Sequence, residues 1–253
     1  LCSGNVSFGN RKFHCWKKEG HGYVNLHEAI EKSCDCYFYN LAKILEIDDL
    51  SEFSNLFSFG QTTGIDIPNE LKGIMPDRKW KIKNRNEKWQ KGETLNTVIG
   101  QGFMLSTPLQ ITLMTARIAT GKKIIPTIIT NKKEFENLNI SNENLEFIKS
   151  SMFSVVNSST GTAFNSKLRG KYKMADKTGT SQVRRISLEE REDGVIKNEE
   201  LNYKLRDHSI FTCFAPFDKP KYSLSVIAEH MGSGSKVAAP IAKRIMELAL
   251  NKY

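Results

Sequence analysis

The sequence has no long apolar run, and this absence limits how the chain can meet a membrane. A membrane-spanning helix needs roughly 18–20 consecutive apolar residues, and no stretch of the 253 residues reaches that length. The chain also starts at Leu1 without a signal-peptide pattern. Any membrane anchor is therefore expected upstream of Leu1.

A nucleic-acid-binding pattern is absent as well, although the chain is basic. Lysine and arginine number 37 against 28 acidic residues, which gives a net charge of +9. The cations are spread along the chain, and no basic helix alternates with aromatic residues, so we expect no nucleic-acid partner. A lysine-rich solvated surface explains the charge, and it would also suit anionic wall polymers or lipid headgroups. With 39% hydrophobic and 26% charged residues, the chain is expected to fold rather than to be disordered.

The sequence also lacks the strand–helix alternation that builds parallel sheets. Apolar periodicity predicts helices over most of the chain and strands towards its C-terminal end. The predicted helices cover 26–45, 49–58, 108–119, 141–157 and 237–250, and the predicted strands cover 172–183, 209–214 and 222–229. Residues 1–25 are predicted to be irregular, 61–96 to form a long excursion, and 184–206 to be a mobile insertion. This order predicts an α+β fold with an antiparallel sheet flanked by helices.

Residues 176–181, Asp-Lys-Thr-Gly-Thr-Ser, form the most informative stretch of the chain. Lys177 supplies a cation, and the hydroxyls of Thr178 and Thr180 can donate hydrogen bonds to a carboxylate. Gly179 has no side chain, so a substrate backbone could approach the strand edge closely. An ordinary strand that ends in a polar turn is the alternative interpretation.

A second polar group, Ser33-Cys34-Asp35, lies inside an apolar pattern where polar residues are otherwise out of place. Taken alone, Ser-x-Asp is common and fits a serine on a helix surface. Together with other short motifs in a fixed order, it resembles the monofunctional class B penicillin-binding proteins, in particular the elongation-type branch called penicillin-binding protein 2. These motifs are Thr63-Gly-Ile-Asp66, Ile99-Gly-Gln-Gly102, Thr107-Pro-Leu-Gln110, Thr160-Gly-Thr-Ala163 and the Lys-Thr-Gly-Thr run.

The resemblance implies a penicillin-binding transpeptidase, β-lactamase-like fold over residues 1–253, with peptidoglycan D,D-transpeptidation as the activity. Stem peptides or their lipid-linked precursors would be the substrates, and β-lactams would acylate the enzyme. Membrane proteins of the cell-wall elongation complex, which determines cell shape, would be partners at the periplasmic face of the inner membrane. The alternatives are a β-lactamase or β-lactam sensor of the same fold, or a truncated, inactive split-gene product.

The resemblance assigns catalytic roles to three residues. Ser33 would relay a proton, Asp35 would orient the lysine of the family's first motif, and Lys177 would polarise Ser33. The Thr180 backbone N–H would be an oxyanion donor. The resemblance also implies that Thr178, Gly179 and Thr180 bind the substrate carboxylate.

The nucleophile of the family is the serine of a Ser-x-x-Lys motif, in which lysine activates the hydroxyl. In the family this motif precedes Ser-x-Asp. The only match here is Ser233-Gly-Ser-Lys236, which reads as a flexible turn before the last helix. The resemblance therefore implies that the acylated serine lies upstream of Leu1, that the domain is truncated at its N-terminus, and that this chain alone does not acylate.

Four of the five cysteines lie within the first 36 residues. Cys2, Cys15, His21 and Cys34 would supply three thiolates and one imidazole, a set that satisfies tetrahedral zinc. Cys36 is a poorer ligand, because residues two apart on a helix point to different faces. Buried unpaired cysteines and disulfides are the alternatives. The resemblance favours a structural zinc with Cys34 among its ligands.

Overall fold

The computed structural model describes residues 1–129 and 134–252. The chain forms two compact units, Leu1–Met152 and Phe153–Tyr253. Helices and antiparallel strands together give the α+β class that the sequence predicts. In the part of the chain that is described, no helix combines the length and the apolarity of a membrane span.

The first unit opens with a small hairpin of two strands, β1 (Asn5–Phe8) and β2 (Arg11–His14), which pair in antiparallel register. The prediction that residues 1–25 are irregular was therefore wrong. Strands of four residues are too short for an alternation of apolar and polar side chains to stand out in the sequence.

The predicted helix over 26–45 is divided in two, α1 (Leu26–Glu31) and α2 (Asp35–Ala42). The prediction of one continuous helix was wrong at Ser33, where the backbone takes the left-handed conformation with φ of +53°. The apolar stripe continues through the break, so periodicity alone does not reveal it.

The break at Ser33 is a helix end of the Schellman type. The Ser33 N–H donates to the Ile30 carbonyl at 3.3 Å, and the Cys34 N–H donates to the Ala29 carbonyl at 2.8 Å. This pair of bonds ends a helix around a left-handed residue, which is usually glycine. A serine at that position gives no helix-breaking signal in the sequence.

The helices that follow α2 include α6, the one that the sequence predicts best. They are α3 (Ile47–Asn55), α4 (Arg78–Arg85), α5 (Lys91–Thr97) and α6 (Pro108–Thr120), followed by α7 (Asn142–Asn157). Thr107 caps α6 by accepting from the Gln110 N–H, and Gly121 ends it in the left-handed conformation. The segment 61–96, predicted to form a long excursion, contains the helices α4 and α5.

The buried side chain of Gln110 fastens the irregular part of that segment to α6. Its Nε2 lies 2.7 Å from the carbonyl oxygen of Ser58, 2.8 Å from that of Gln61 and 2.9 Å from that of Lys72. Because Gln110 is shielded from water, these bonds are strong and costly to lose. A loop without regular structure is thus held against the core by a helix side chain.

The second unit contains a three-stranded antiparallel sheet in the order β3–β4–β5. Its elements are β3 (Ala175–Ser181), α8 (Leu188–Asp193), β4 (His208–Ala215), β5 (Tyr222–Ala228) and α9 (Ala238–Lys252). The predicted hairpin and closing helix are confirmed. The central strand β4 is the most buried strand of the sheet, and its Phe211 and Phe214 are inaccessible to solvent. Met246 of α9 is also buried, with 1% of its surface exposed.

The segment 184–206 between β3 and β4 has regular structure of its own. Besides α8 it forms two 3₁₀ turns, Asn198–Glu200 and Tyr203–Leu205. The Asp207 N–H donates to Asn198 Oδ1 at 2.8 Å and so joins the segment to the start of β4. That the segment is mobile stays a prediction.

Candidate active site and metal centre

Ser33 and Asp35 share the tight turn between α1 and α2. The left-handed conformation of Ser33 costs a residue with a β-carbon roughly 1 kcal/mol, and such strain is concentrated at functional sites. Asp35 is the first residue of α2, so its carboxylate stands at the positive end of the helix dipole. Both catalytic residues predicted in the first unit therefore lie on one backbone turn.

Trp16 holds this turn by two hydrogen bonds. Its backbone N–H donates to Asp35 Oδ2 at 3.0 Å, and its indole N–H donates to the Lys32 carbonyl at 3.1 Å. Sequence reasoning missed Trp16, because its partners lie 19 and 16 residues away along the chain. No short-range pattern reports a contact of that separation.

The Lys-Thr-Gly-Thr residues lie on β3, at one edge of the sheet. Lys177 Nζ donates to the Thr178 carbonyl at 3.0 Å, and the Thr178 and Thr162 hydroxyl oxygens are 2.9 Å apart. Among the described strands, β3 pairs with β4 alone. Its second edge is a surface on which an extended peptide could add as a further strand. Thr162, from the Thr-Gly-Thr-Ala motif, was not among the predicted site residues.

Glycine is required at position 234, in the turn before α9, rather than at position 179 on β3. A β-carbon on Gly179 would lie 3.3 Å from that of Ile210, a contact that small shifts can accommodate. A β-carbon on Gly234 would lie 2.2 Å from the Gly179 carbonyl oxygen and 2.3 Å from that of Ile210. The Gly234 N–H also lies 3.4 Å from the Thr180 hydroxyl oxygen. The turn before α9 is therefore packed directly on the motif strand.

Asp176 precedes Lys177 on β3 and is fully buried, opposite Cys213 of β4. Neither carboxylate oxygen has a hydrogen-bond partner among the described residues. Burial raises the pKa of Asp176 well above its ordinary value, and the positive charge of Lys177 opposes this only in part. Burial thus favours the uncharged carboxylic acid at this position.

The structure brings the four predicted metal ligands together. The ligand atoms of Cys2, Cys15, His21 and Cys34 all lie within 4.8 Å of one another. His21 Nδ1 is 3.6 Å from Cys2 Sγ and 3.5 Å from Cys15 Sγ. A tetrahedral zinc with bonds of about 2.3 Å to sulfur and 2.0 Å to nitrogen separates such ligand atoms by about 3.5–3.6 Å. The donor set and its spacing fit that metal.

Three separate parts of the chain build this cluster. Cys2 forms a backbone bridge with Gly22, with N–O distances of 2.7 and 3.0 Å. Gly20 has φ of +80°, and a β-carbon on it would lie 2.1 Å from the Cys2 carbonyl oxygen, so the loop closes only with glycine there. Cys15 follows β2, and Cys34 is the residue that precedes α2.

Cys36 is fully buried but lies outside the set of four. The prediction that Cys34 and Cys36 lie on one helix was wrong, because Cys34 precedes α2 and only Cys36 belongs to it. All five cysteines are in the described residues, and none of them forms a disulfide bond. A hydrogen bond from Cys34 lowers the pKa of Cys15 to about 4, and the same bond raises the pKa of Cys34.

Residues 3–247 match the family described as the penicillin binding protein transpeptidase domain. The chain belongs to this family. It is 38% identical over 248 residues to the peptidoglycan D,D-transpeptidase MrdA of Acinetobacter baumannii, a match that covers 92% of this chain and 36% of that protein. It is 36% identical over 255 residues to MrdA of Haemophilus influenzae, covering 96% and 39%.

Solved structures of penicillin-binding protein 2 have the same fold as this transpeptidase-family chain. In the complex of that protein with MreC from Helicobacter pylori, the TM-score is 0.85 at 38% identity, covering 98% of this chain and 44% of that one. For the Pseudomonas aeruginosa protein in complex with WCK 5153, the TM-score is 0.84 at 34% identity, covering 99% and 55%. The chain spans between 36% and 40% of the length of the MrdA relatives.

The single Ser-x-x-Lys match of this transpeptidase-family chain lies in the turn before α9. The Ser233 carbonyl accepts from the Ser209 hydroxyl at 2.9 Å and from the Lys236 N–H at 3.2 Å. The Ser233 hydroxyl lies 3.0 Å from that of Ser235. These bonds join the turn to β4, in keeping with the interpretation of this motif as a connection.

Proposed function

We propose that this chain supplies the Ser-x-Asp and Lys-Thr-Gly-Thr groups of a peptidoglycan D,D-transpeptidase, which cross-links stem peptides by acyl transfer through a serine ester. The observation that carries the proposal is that the Lys-Thr-Gly-Thr residues lie on β3, at an edge of the sheet. A sheet edge that bears a cation and two hydroxyl groups suits an extended peptide that ends in a carboxylate. The relatives named peptidoglycan D,D-transpeptidase support the same assignment.

In this proposal the residues of the chain bind the substrate and move its protons. Thr178 and Thr180 bind the terminal carboxylate, Lys177 polarises Ser33, and the Thr180 backbone N–H stabilises the oxyanion of the tetrahedral intermediate. The serine of a Ser-x-x-Lys motif forms the ester as the peptide C–N bond breaks. Ser33 carries a proton to the leaving amine and later from the attacking amine, and Asp35 orients the lysine of the first motif.

The setting of the reaction follows from the same assignment. Stem peptides, carried by peptidoglycan or by its lipid-linked precursor, are the proposed substrates, and β-lactams are the proposed acylating inhibitors. We propose action at the periplasmic face of the inner membrane, within a cell-wall elongation complex. The solved complex of the Helicobacter pylori relative with MreC supports a protein partner in general.

Covalent labelling by a fluorescent penicillin tests this function. The protein made from its complete reading frame should be labelled, and the 253-residue chain by itself should not. Lys177→Ala should slow acylation about 10–100-fold, the loss expected for one charge-assisted hydrogen bond. Lys219→Ala is the matched control, because Lys219 is an exposed lysine in the turn after β4.

Two results would contradict the proposal. One is a complete protein that takes no label, or that is labelled equally with and without Lys177. The other is sustained hydrolysis of nitrocefin with many turnovers, which would favour a β-lactamase.

We also propose that Cys2, Cys15, His21 and Cys34 hold a structural zinc. The match between the measured His21–cysteine distances and the edges of a zinc tetrahedron supports this. Bound there, the metal would cross-link the N-terminal hairpin to the start of α2, and its binding free energy would stabilise the fold.

Mass spectrometry of the native protein should find about one zinc per chain. Cys15→Ser should abolish binding and lower the melting temperature. Cys36→Ser is the matched control, because Cys36 is buried close by but lies outside the four ligands. A metal-free sample with an unchanged melting temperature, or equal metal loss in both variants, would refute the site.

A further inference from the structure

We propose that Trp16 is a positioning residue, which transmits the state of the cysteine–histidine cluster to the catalytic turn at Ser33 and Asp35. Its predicted effect on catalysis rests on the proposed transpeptidase function. The coupling itself depends only on contacts within the first unit.

On one side, Trp16 is attached to the cluster. It directly follows Cys15 in the chain, so any movement of that thiol moves the tryptophan backbone. Its ring also meets the His21 ring edge-on, with centroids 5.4 Å apart and planes at 64°. Trp16 is therefore joined covalently to one of the four ligand residues and by ring contact to another.

On the other side, Trp16 holds both flanks of Ser33. Its indole N–H donates a hydrogen bond to the Lys32 carbonyl at 3.1 Å. This carbonyl is one of those that the end of α1 leaves without a partner inside the helix. Its backbone N–H holds Asp35 Oδ2 at 3.0 Å. Since Lys32 and Asp35 bracket the strained serine, these two bonds fix the direction in which the turn presents its hydroxyl and carboxylate.

The exposure of Trp16 distinguishes a role in positioning the catalytic turn from a role in packing the core. Trp16 is 62% exposed, which is unusual for a tryptophan residue that makes two hydrogen bonds. The ring therefore buries little apolar area, and truncating it should cost little stability. A displacement of about 1 Å, by contrast, would break both bonds and could cost 10²-fold in a rate that depends on alignment.

Trp16→Phe tests the indole bond, because it keeps the ring against His21 and the backbone N–H to Asp35. We expect the limiting rate constant of penicillin acylation to fall about 5–12-fold, the equivalent of one hydrogen bond. The penicillin concentration at half-maximal rate and the zinc content should stay at their wild-type values. Trp89→Phe is the matched control, because it also loses one indole hydrogen bond, to the Thr94 hydroxyl at 2.9 Å. An unchanged rate, or a loss that appears only together with loss of zinc, would overturn the proposal.

A second measurement does not depend on catalysis. The chain has three tryptophans, so Trp80→Phe and Trp89→Phe together leave Trp16 as the sole reporter of tryptophan fluorescence. Its emission maximum should shift when a chelator removes zinc and return when zinc is restored. It should also shift in Asp35→Ala with zinc bound.

Emission that responds to neither change would end the proposed coupling. A wild-type protein that takes no penicillin, but whose Trp16 emission responds to both changes, would refute the transpeptidase function and leave the coupling standing.

Discussion

Replacing Asp176 by asparagine should make the protein more stable at neutral pH, by an amount that grows with pH. The carboxyl is fully buried on β3, and its oxygens have no hydrogen-bond partner among the described residues. Burial raises its pKa in the folded state, whereas in the unfolded chain the pKa is about 3.9. Between these two values the folded protein keeps a proton that the unfolded chain has lost.

The sign and size of the effect follow from this difference. The contribution of Asp176 to the free energy of unfolding is fully present below about pH 4, which is the pKa of this carboxyl in the unfolded chain. It falls by about 1.4 kcal/mol per pH unit as pH rises, because one proton is released on unfolding, and it levels off above the folded-state pKa. The asparagine side chain of the variant cannot ionise, so the difference in unfolding free energy between variant and wild type should rise with that slope from near zero.

Urea unfolding followed by circular dichroism at several pH values between 4.5 and 8 measures this difference. Subtracting wild type from variant cancels the titration of the other groups. Asp218→Asn removes a carboxyl that is exposed in the turn after β4, and it should give no slope. Parallel curves for Asp176→Asn and wild type would refute the reasoning, since they would mean that the buried carboxyl is ionised in the fold, with Lys177 as its counter-ion.

Two further substitutions test the local structure near the motifs. Thr107→Ala removes the hydroxyl that caps α6 by accepting from the Gln110 N–H. It should lower the free energy of unfolding, measured by urea titration, by about 1 kcal/mol. An unchanged free energy would mean that the cap is dispensable. Gly234→Ala forces a β-carbon to within 2.2 Å of the Gly179 carbonyl oxygen, so we expect a loss of about 1–3 kcal/mol and slower penicillin acylation. Gly92→Ala, whose β-carbon would meet only Phe13 at 3.6 Å, is its control, and equal stability losses in the two would contradict the close-contact argument.

The elements that the sequence predicts well carry their signals locally. The α6 helix has a capping threonine, a proline in its first turn and a terminal glycine within fifteen residues of chain, and β4 and β5 are apolar runs joined by a short proline-containing turn. Each signal acts through neighbouring backbone groups, so it can be recognised without the tertiary structure. The Ser-x-Asp and Lys-Thr-Gly-Thr groups were found from their motifs.

The features that the sequence missed depend on contacts between distant residues. Trp16 matters only because folding brings it to Asp35 and Lys32. The raised pKa of Asp176 comes from its complete burial in the folded chain. The clash that requires glycine at position 234 comes from the carbonyl groups of β3 and β4. Composition and periodicity report none of these juxtapositions.

The left-handed backbone of Ser33 changes which inactive variant is most informative. Alanine, the usual choice, would remove the hydroxyl but keep a β-carbon in a conformation that β-carbons disfavour, and helix-forming alanine would favour joining α1 to α2. A loss of activity would then mix altered chemistry with altered shape. Glycine relaxes the same backbone and deletes the same oxygen. Ser33→Gly should therefore fold well and lack only the hydroxyl that we propose as the proton relay, which makes it better suited to trapping a bound substrate for structural study.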